Sequence, residues 1–187
     1  MATPKSFNPE EIHAAIARLG AAIAERHPAA DKLLLLGIAN GGVELARRLA
    51  KLTRAKTGTL DISFHRDDIG RNPIPKEFSP THIPTDVNGA NVILVDDVLF
   101  SGRTGKAALD ELFDHGRPAK VELAVLVDRG GRLLPIAADY AGLKVTATPS
   151  EKVVVFLDPS DPALDSIRLE STARDESKIA NRKSKIS

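Results

Sequence analysis

Val92-Ile93-Leu94-Val95-Asp96-Asp97-Val98-Leu99-Phe100-Ser101-Gly102-Arg103-Thr104-Gly105 passes from an apolar run through two adjacent carboxylates into a glycine turn flanked by hydroxyls. Four consecutive aliphatic residues, Val92 to Val95, read as a strand buried on both faces, the usual state of a parallel sheet covered by helices. Asp96 and Asp97 then fall at the strand's carboxyl end, where open α/β sheets take their ligands. Two acceptor-only side chains at that place suit the hydroxyls of a sugar diol. Ser101-Gly102-Arg103-Thr104 turns into a helix predicted from Thr104 to His115. The free N–H groups and positive dipole end of such a helix suit a phosphate. Gly102 lets the backbone approach closely, and the hydroxyls of Ser101 and Thr104 add donors. A buried strand, a solvated acidic pair and a capped helix would explain each piece separately, but not their order.

On either side, strands alternate with helices. Pro9 to Arg26 is predicted helical, with Asn8 as cap, Pro9 in the first turn and Glu10 and Glu11 complementing the dipole. Ile12, Ile16, Leu19 and Ile23 share one face of it. Leu33 to Leu36 reads as a buried strand, Gly37 to Gly42 as a turn, and Val43 to about Leu52 as a helix. Three glycines in that turn let backbone amides converge on an anion, a weak signal alone but a second phosphate site beside the Asp96–Thr104 loop. Leu60 to Phe64 is predicted as the next strand, Val121 to Val127 as the fourth, and Val153 to Leu157 as a further one. His65 to Asn91, holding Pro73, Pro75, Pro80 and Pro84, is too long for an ordinary connection and reads as a lid or a concealed hairpin. The pattern predicts an α/β fold, a mainly parallel twisted sheet flanked by helices. One domain over 1–169 is expected, followed by a disordered polar tail over 170–187.

Composition narrows the function classes. The chain has 187 residues, no cysteine and a formal net charge of +1, with a pI near 8.0. Thiolate catalysis and cysteine metal sites are excluded, and the global charge lacks the strongly basic footprint usual in nucleic-acid binders. No apolar run reaches the roughly 18 residues of a membrane helix, and no apolar segment follows the first residues as in a secretory signal, so a cytoplasmic location is the default expectation. Arg66-Asp67-Asp68 opens the long connection, where an arginine suits diphosphate and a carboxylate suits a cation-bound water. Asp128-Arg129-Gly130-Gly131-Arg132 follows the fourth strand and reaches the same sheet edge. The five histidines are scattered, with His65 singled out by its neighbour Arg66.

The Val92–Gly105 stretch resembles the phosphoribosyl-diphosphate (PRPP) motif of the type I phosphoribosyltransferases. Three further segments, Leu60 to Asp68, Asp110 to Pro118 and Leu126 to Tyr140, make Pro9 to Leu157 similar to the bifunctional pyrimidine-operon attenuator and uracil phosphoribosyltransferase family. The resemblance implies a type I phosphoribosyltransferase fold with a small hood. It also implies Mg²⁺-dependent formation of UMP and diphosphate from uracil and PRPP, and a homo-oligomer. Asp96 and Asp97 would then bind the ribose hydroxyls and Mg²⁺, and with Arg66 form the catalytic set. Ser101, Gly102, Arg103 and Thr104 would wrap the 5-phosphate, and Ala39, Asn40 and Gly41 would receive the diphosphate. Asp67, Asp68 and Lys76 would belong to a closing lid, and Asp128 and Arg129 would lie near the base. Two departures from the family pattern stand out. The diphosphate loop, Ala39-Asn40-Gly41-Gly42, lacks a basic residue, and several arginines of the family's RNA-binding face are replaced, at His13-Ala14 and Ala137, with Gly131 in place of a histidine. Arg18, Arg26 and Arg132 remain. The alternatives are a UMP-sensing attenuator of leader RNA with little catalysis, and a phosphoribosyltransferase for another base.

Overall fold

Asn8 begins the first helix as expected from its side chain: its Oδ1 accepts from the Glu11 amide while Glu11 accepts from the Asn8 amide, each at 2.9 Å. This reciprocal cap fixes α1 (Pro9–Arg26) and turns Ile12, Ile16, Leu19 and Ile23 into the core. The computed structural model describes residues 6–65 and 80–171. Ser6–Phe7 form β1, followed after α1 by β2 (Leu33–Ile38), α2 (Gly42–Thr53), β3 (Lys56–Leu60), β4 (Asn91–Leu99) and α3 (Arg103–Asp114). The chain continues through β5 (Lys120–Asp128), β6 (Tyr140–Lys144), β7 (Glu151–Phe156) and β8 (Ser166–Ser171).

Five strands make one all-parallel sheet in the order β3-β2-β4-β5-β6. Alternation along the central strands divides the core in two. Leu33, Leu35, Ile93 and Val95 pack with α1 and α2 on one face, while Leu34, Leu36, Val92 and Leu94 pack with α3 on the other. Antiparallel β1, β8 and β7 form a second, smaller sheet, with Val153 and Ile167 joined to the α1–α2 side of the core. No helix among the described residues is long and apolar enough to cross a membrane.

The structure departs from the sequence reading at four places. The second strand of the parallel sheet is Lys56–Leu60, not Leu60–Phe64. Arg54 closes α2 in the left-handed conformation (φ 59°), so the chain re-enters the sheet at once. Asp61 then ends the strand, its Oδ1 accepting from both the amide and the hydroxyl of Ser63. Second, β4 does not stop at Val95 but carries Asp96 and Asp97 inside the ladder, with Asp96 opposite Val125. Third, β6 and β8 carry too few apolar residues in sequence to announce themselves, because each is an edge or half-exposed strand. Fourth, Glu170 and Ser171 belong to β8 and not to a tail.

A buried charge cluster ties α1 to the sheet. Glu122 on β5, with only 2 % of its side chain exposed, accepts from His27 at 2.6 Å, Lys120 at 2.9 Å and Arg26 at 3.0 Å. The Tyr140 hydroxyl donates to the same carboxylate at 3.3 Å. Burial alone would raise the Glu122 carboxyl, but donors from Lys120, Arg26 and His27 outweigh it and hold the group down at about 2. Burial and the Glu122 charge push the Tyr140 phenol up to about 12. A carboxylate lowered on folding stabilises the fold above its unfolded value, and that contribution is lost as pH falls toward 2. Glu122→Gln is therefore expected to cost about 2 kcal/mol at neutral pH and to flatten the melting-temperature decline between pH 5 and 2, as read by thermal scans. Parallel declines for the two proteins would refute this.

Candidate active site

The first turn of α2 is built by close approach. At Gly42 an added Cβ would lie 1.9 Å from the Val95 carbonyl oxygen, so only glycine lets the α2 terminus rest on β4. The Ala39 amide donates to the Leu60 carbonyl at 2.9 Å, anchoring the turn between the ends of β2 and β3. Ala39, Asn40 and Gly41 therefore line the carboxyl edge of the sheet beside the acidic pair, with a cis peptide between Ala39 and Asn40. A Cβ on Gly41 would sit 2.6 Å from the Asp97 carboxylate carbon. The Gly41 backbone therefore packs directly against the Asp97 carboxylate, an approach that a side chain would block.

Asp96 is 8 % exposed, and Asp97 is half-buried next to it. The Asp97 amide donates to the Asp96 Oδ1 at 3.0 Å, and the Val98 amide to the Asp97 Oδ1 at 2.6 Å. Burial first, then the neighbouring negative charge, lifts the Asp96 carboxyl well above the ordinary carboxylate range. Burial likewise raises Asp97, opposed by main-chain donors and by the positive charge of Lys152. Two hard carboxylates side by side are a donor set suited to a divalent cation such as Mg²⁺, whose charge would offset their repulsion.

On the other side of the pair, Gly102 (φ 91°) caps α3 in the left-handed conformation, and the Arg103 amide donates to the Ser101 hydroxyl oxygen at 3.3 Å. Thr104 and Arg103 are exposed on the first turn, which carries no acidic residue. The 130–136 segment seals this loop from outside: the Leu133 and Leu134 amides both donate to the Ser101 carbonyl at 3.0 Å. Ser101 to Thr104, Asp96 and Asp97, and Ala39 to Gly41 thus occupy one sheet edge, as their spacing in sequence implies.

Asp128 and Arg129 reach the same edge but spend their side chains on the protein. Asp128 Oδ1 accepts from the Gly130 amide at 2.9 Å and from Arg132 Nη2 at 2.7 Å. Arg129, 8 % exposed, donates from Nη2 to the Thr148 and Glu151 carbonyls, and its guanidinium lies 3.9 Å from the centroid of the Phe100 ring. The side chain of Arg129 therefore joins the loop after β5 to β7 and braces Phe100. Arg66, Asp67, Asp68 and Lys76 lie outside the described residues.

Lys152 is the residue that sequence reasoning missed. It sits exposed on β7, in the smaller sheet, close enough to act electrostatically on Asp97. Its sequence neighbours Glu151 and Val153 give no hint of this, since only the packing of β7 over the end of β4 brings the cation to the acidic pair.

The remaining cations of the expected basic face are also engaged. Arg18 donates to the Gly142 carbonyl, Arg26 to Glu122, and Arg132 to the Ile136, Leu99 and Phe100 carbonyls besides Asp128.

Comparison with known proteins agrees with this geometry. The family described as "Phosphoribosyl transferase domain" matches residues 8–160. The "Bifunctional protein PyrR" of Chloroflexus aurantiacus is 44% identical over 173 residues, covering 89% of this chain and 94% of that protein. The protein of the same name from Streptomyces coelicolor is 49% identical over 158 residues, 81% of each chain. Among solved structures, a hypoxanthine-guanine phosphoribosyltransferase of Bacillus anthracis superposes with a TM-score of 0.62 at 20% identity, covering 82% of this chain and 88% of that one. A hypoxanthine phosphoribosyl transferase of Trypanosoma cruzi gives 0.65 at 19% identity, covering 98% and 97%. At these identities the structures speak for the shared fold alone.

Proposed function

The chain belongs to the phosphoribosyl transferase family and, within it, to the bifunctional PyrR proteins, and on that footing we propose that it forms UMP and diphosphate from uracil and PRPP. The observation that carries the reading is the juxtaposition of two anion-ready helix starts, at Gly42 and Arg103, with the Asp96–Asp97 pair between them. PRPP has the matching shape: a phosphate at one end, a diphosphate at the other, and a ribose diol between.

Each group then has a task. Asp96 and Asp97 accept from the ribose hydroxyls and would hold Mg²⁺, which when bound would supply charge neutralisation for the diphosphate. The backbone of Ser101 to Thr104 receives the 5-phosphate, with the two hydroxyls adding donors. Ala39, Asn40 and Gly41 present main-chain groups to the diphosphate, and Lys152 supplies positive charge that the loop itself lacks. Uracil lies against the Phe100 face of the loop after β5, with Arg129 and Asp128 holding that loop in shape. Arg66, Asp67, Asp68 and Lys76 complete the diphosphate side as a lid. Positive charge develops on the sugar as diphosphate departs, so preorganised negative groups and exclusion of water carry the catalysis, and no covalent enzyme intermediate is required. The protein works in the cytoplasm as a homo-oligomer. The replacement of family arginines at His13-Ala14 and Ala137 lowers the number of cations on the face that would meet leader RNA, which supports the enzyme reading over the attenuator reading.

Diphosphate release measured with PRPP, Mg²⁺ and a panel of free bases tests the proposal: turnover with uracil is expected, and silence with uracil in protein that still binds UMP would reject it. In the same assay Lys152→Ala is expected to lower kcat/KM for PRPP about tenfold, an effect of about 1.4 kcal/mol from removing one exposed positive charge. An unchanged value would remove Lys152 from the site.

A further inference from the structure

His65 closes the turn after β3, and its Nε2 lies 3.2 Å from Glu111 Oε2 and 3.3 Å from Asp114 Oδ2, both on α3. A neutral imidazole has one N–H to give and cannot serve two carboxylates well. The second oxygen of Glu111 is already supplied: Thr81 donates to Oε1 at 2.8 Å and His115 Nε2 lies 3.1 Å from it. Thr81 in turn accepts from the Asp61 amide at 2.9 Å, so the Glu111 carboxylate is oriented by a chain of bonds from the end of β3. One imidazole nitrogen and two carboxylate oxygens thus converge with all three atoms within 4.8 Å of one another.

We propose that His65, Glu111 and Asp114 form a second metal site, separate from the acidic pair, that takes a divalent transition cation of the zinc class. A tetrahedral ion with bonds of roughly 2.0–2.1 Å has donor-to-donor edges of about 3.3 Å, which matches the two His65 separations. The remaining edge, within 4.8 Å, can adjust by rotation of Asp114, whose side chain is 70 % exposed. A divalent charge neutralises the two carboxylates and leaves the fourth position to water. Mixed imidazole and carboxylate donors favour Zn²⁺, Co²⁺ or Ni²⁺ over Mg²⁺. The oriented Glu111, with Thr81 and His115 behind it, has the outer hydrogen bonds that metal-binding carboxylates ordinarily carry. The ion would fasten the Asp61–His65 turn to the carboxyl-terminal half of α3, whose amino end is the phosphate loop.

Calorimetric titration of the full-length protein with Zn²⁺, in excess Mg²⁺ to occupy the acidic pair, is expected to show one tight equivalent. Co²⁺ in its place is expected to give visible d–d absorption with a bound nitrogen donor. His65→Ala and Asp114→Asn should each weaken binding at least about tenfold, while Asp97→Asn leaves it unchanged. Asp114 is exposed enough that its variant tests ligation without threatening the fold. Absence of binding, or binding that survives both His65→Ala and Asp114→Asn, would show an ion-paired histidine only and overturn the proposal.

Discussion

Asp96→Asn combined with Asp97→Asn is expected to cut turnover by about 10³-fold and, at the same time, to raise the melting temperature at neutral pH by a few degrees. The two effects share one cause. Asp96 is buried in the β4 ladder beside a second carboxylate, and burial and mutual repulsion lift its carboxyl well above the ordinary range. A carboxyl raised on folding binds its proton more tightly in the native state, so the fold gains stability as pH falls through that raised range and loses it on ionisation. The ionised form of the pair is therefore a strain on the fold, retained, on the proposed function, because the same charges would hold ribose hydroxyls and a cation. Asparagine keeps the shape and removes the strain together with the function. Melting curves at several pH values check the argument: the gap between variant and wild type should be widest near pH 8 and shrink as the solution is acidified. A variant that melts lower than wild type at every pH would mean that the pair stabilises the fold.

The acidic pair and the hydroxyl-glycine turn were legible in sequence because their chemistry is local: strand, carboxylates, turn and helix follow one another over Val92–Gly105. The central strands were legible for a similar reason, since burial on both faces leaves unbroken aliphatic runs such as Leu33–Leu36. Where long-range packing decides, the sequence is quiet. Lys56 to Thr59 looks unlike a strand because its Gly58 is covered by the 80–84 segment, where a Cβ would meet the His82 carbonyl at 2.2 Å. Lys152 reads as one more surface lysine until β7 is laid over the end of β4. Arg129 reads as a ligand-facing residue until its donors are found on the Thr148 and Glu151 carbonyls. In each case the informative partner lies far along the chain, and periodicity carries no record of it.

Gly42→Ala should show how tightly the 39–42 loop, proposed to receive diphosphate, is built into the fold, with a loss of at least about 3 kcal/mol and a fall in melting temperature of roughly 6–12 °C. Taken as a helix residue, the change should help, because alanine is favoured over glycine by up to about 1 kcal/mol. That gain is outweighed, because the new Cβ would stand 1.9 Å from the Val95 carbonyl oxygen and 3.0 Å from the Asp96 Cα. Both are main-chain atoms of the central strand, so no rotamer change relieves the contact, and α2 must lift away from β4. Gly89→Ala separates this cause from general intolerance of substitution at glycine. Its Cβ meets nothing within 4 Å, and only the left-handed backbone (φ 71°) opposes it, at about 1 kcal/mol. Thermal scans of the two variants should therefore differ severalfold in their displacement from wild type. Gly42→Ala protein that remains folded at low temperature should also bind PRPP more weakly, because the same displacement carries Gly41 away from the Asp97 carboxylate. Equal, small effects at both positions would mean that α2 can shift freely against β4, and the short path from loop backbone to acidic pair would then not be fixed by the fold.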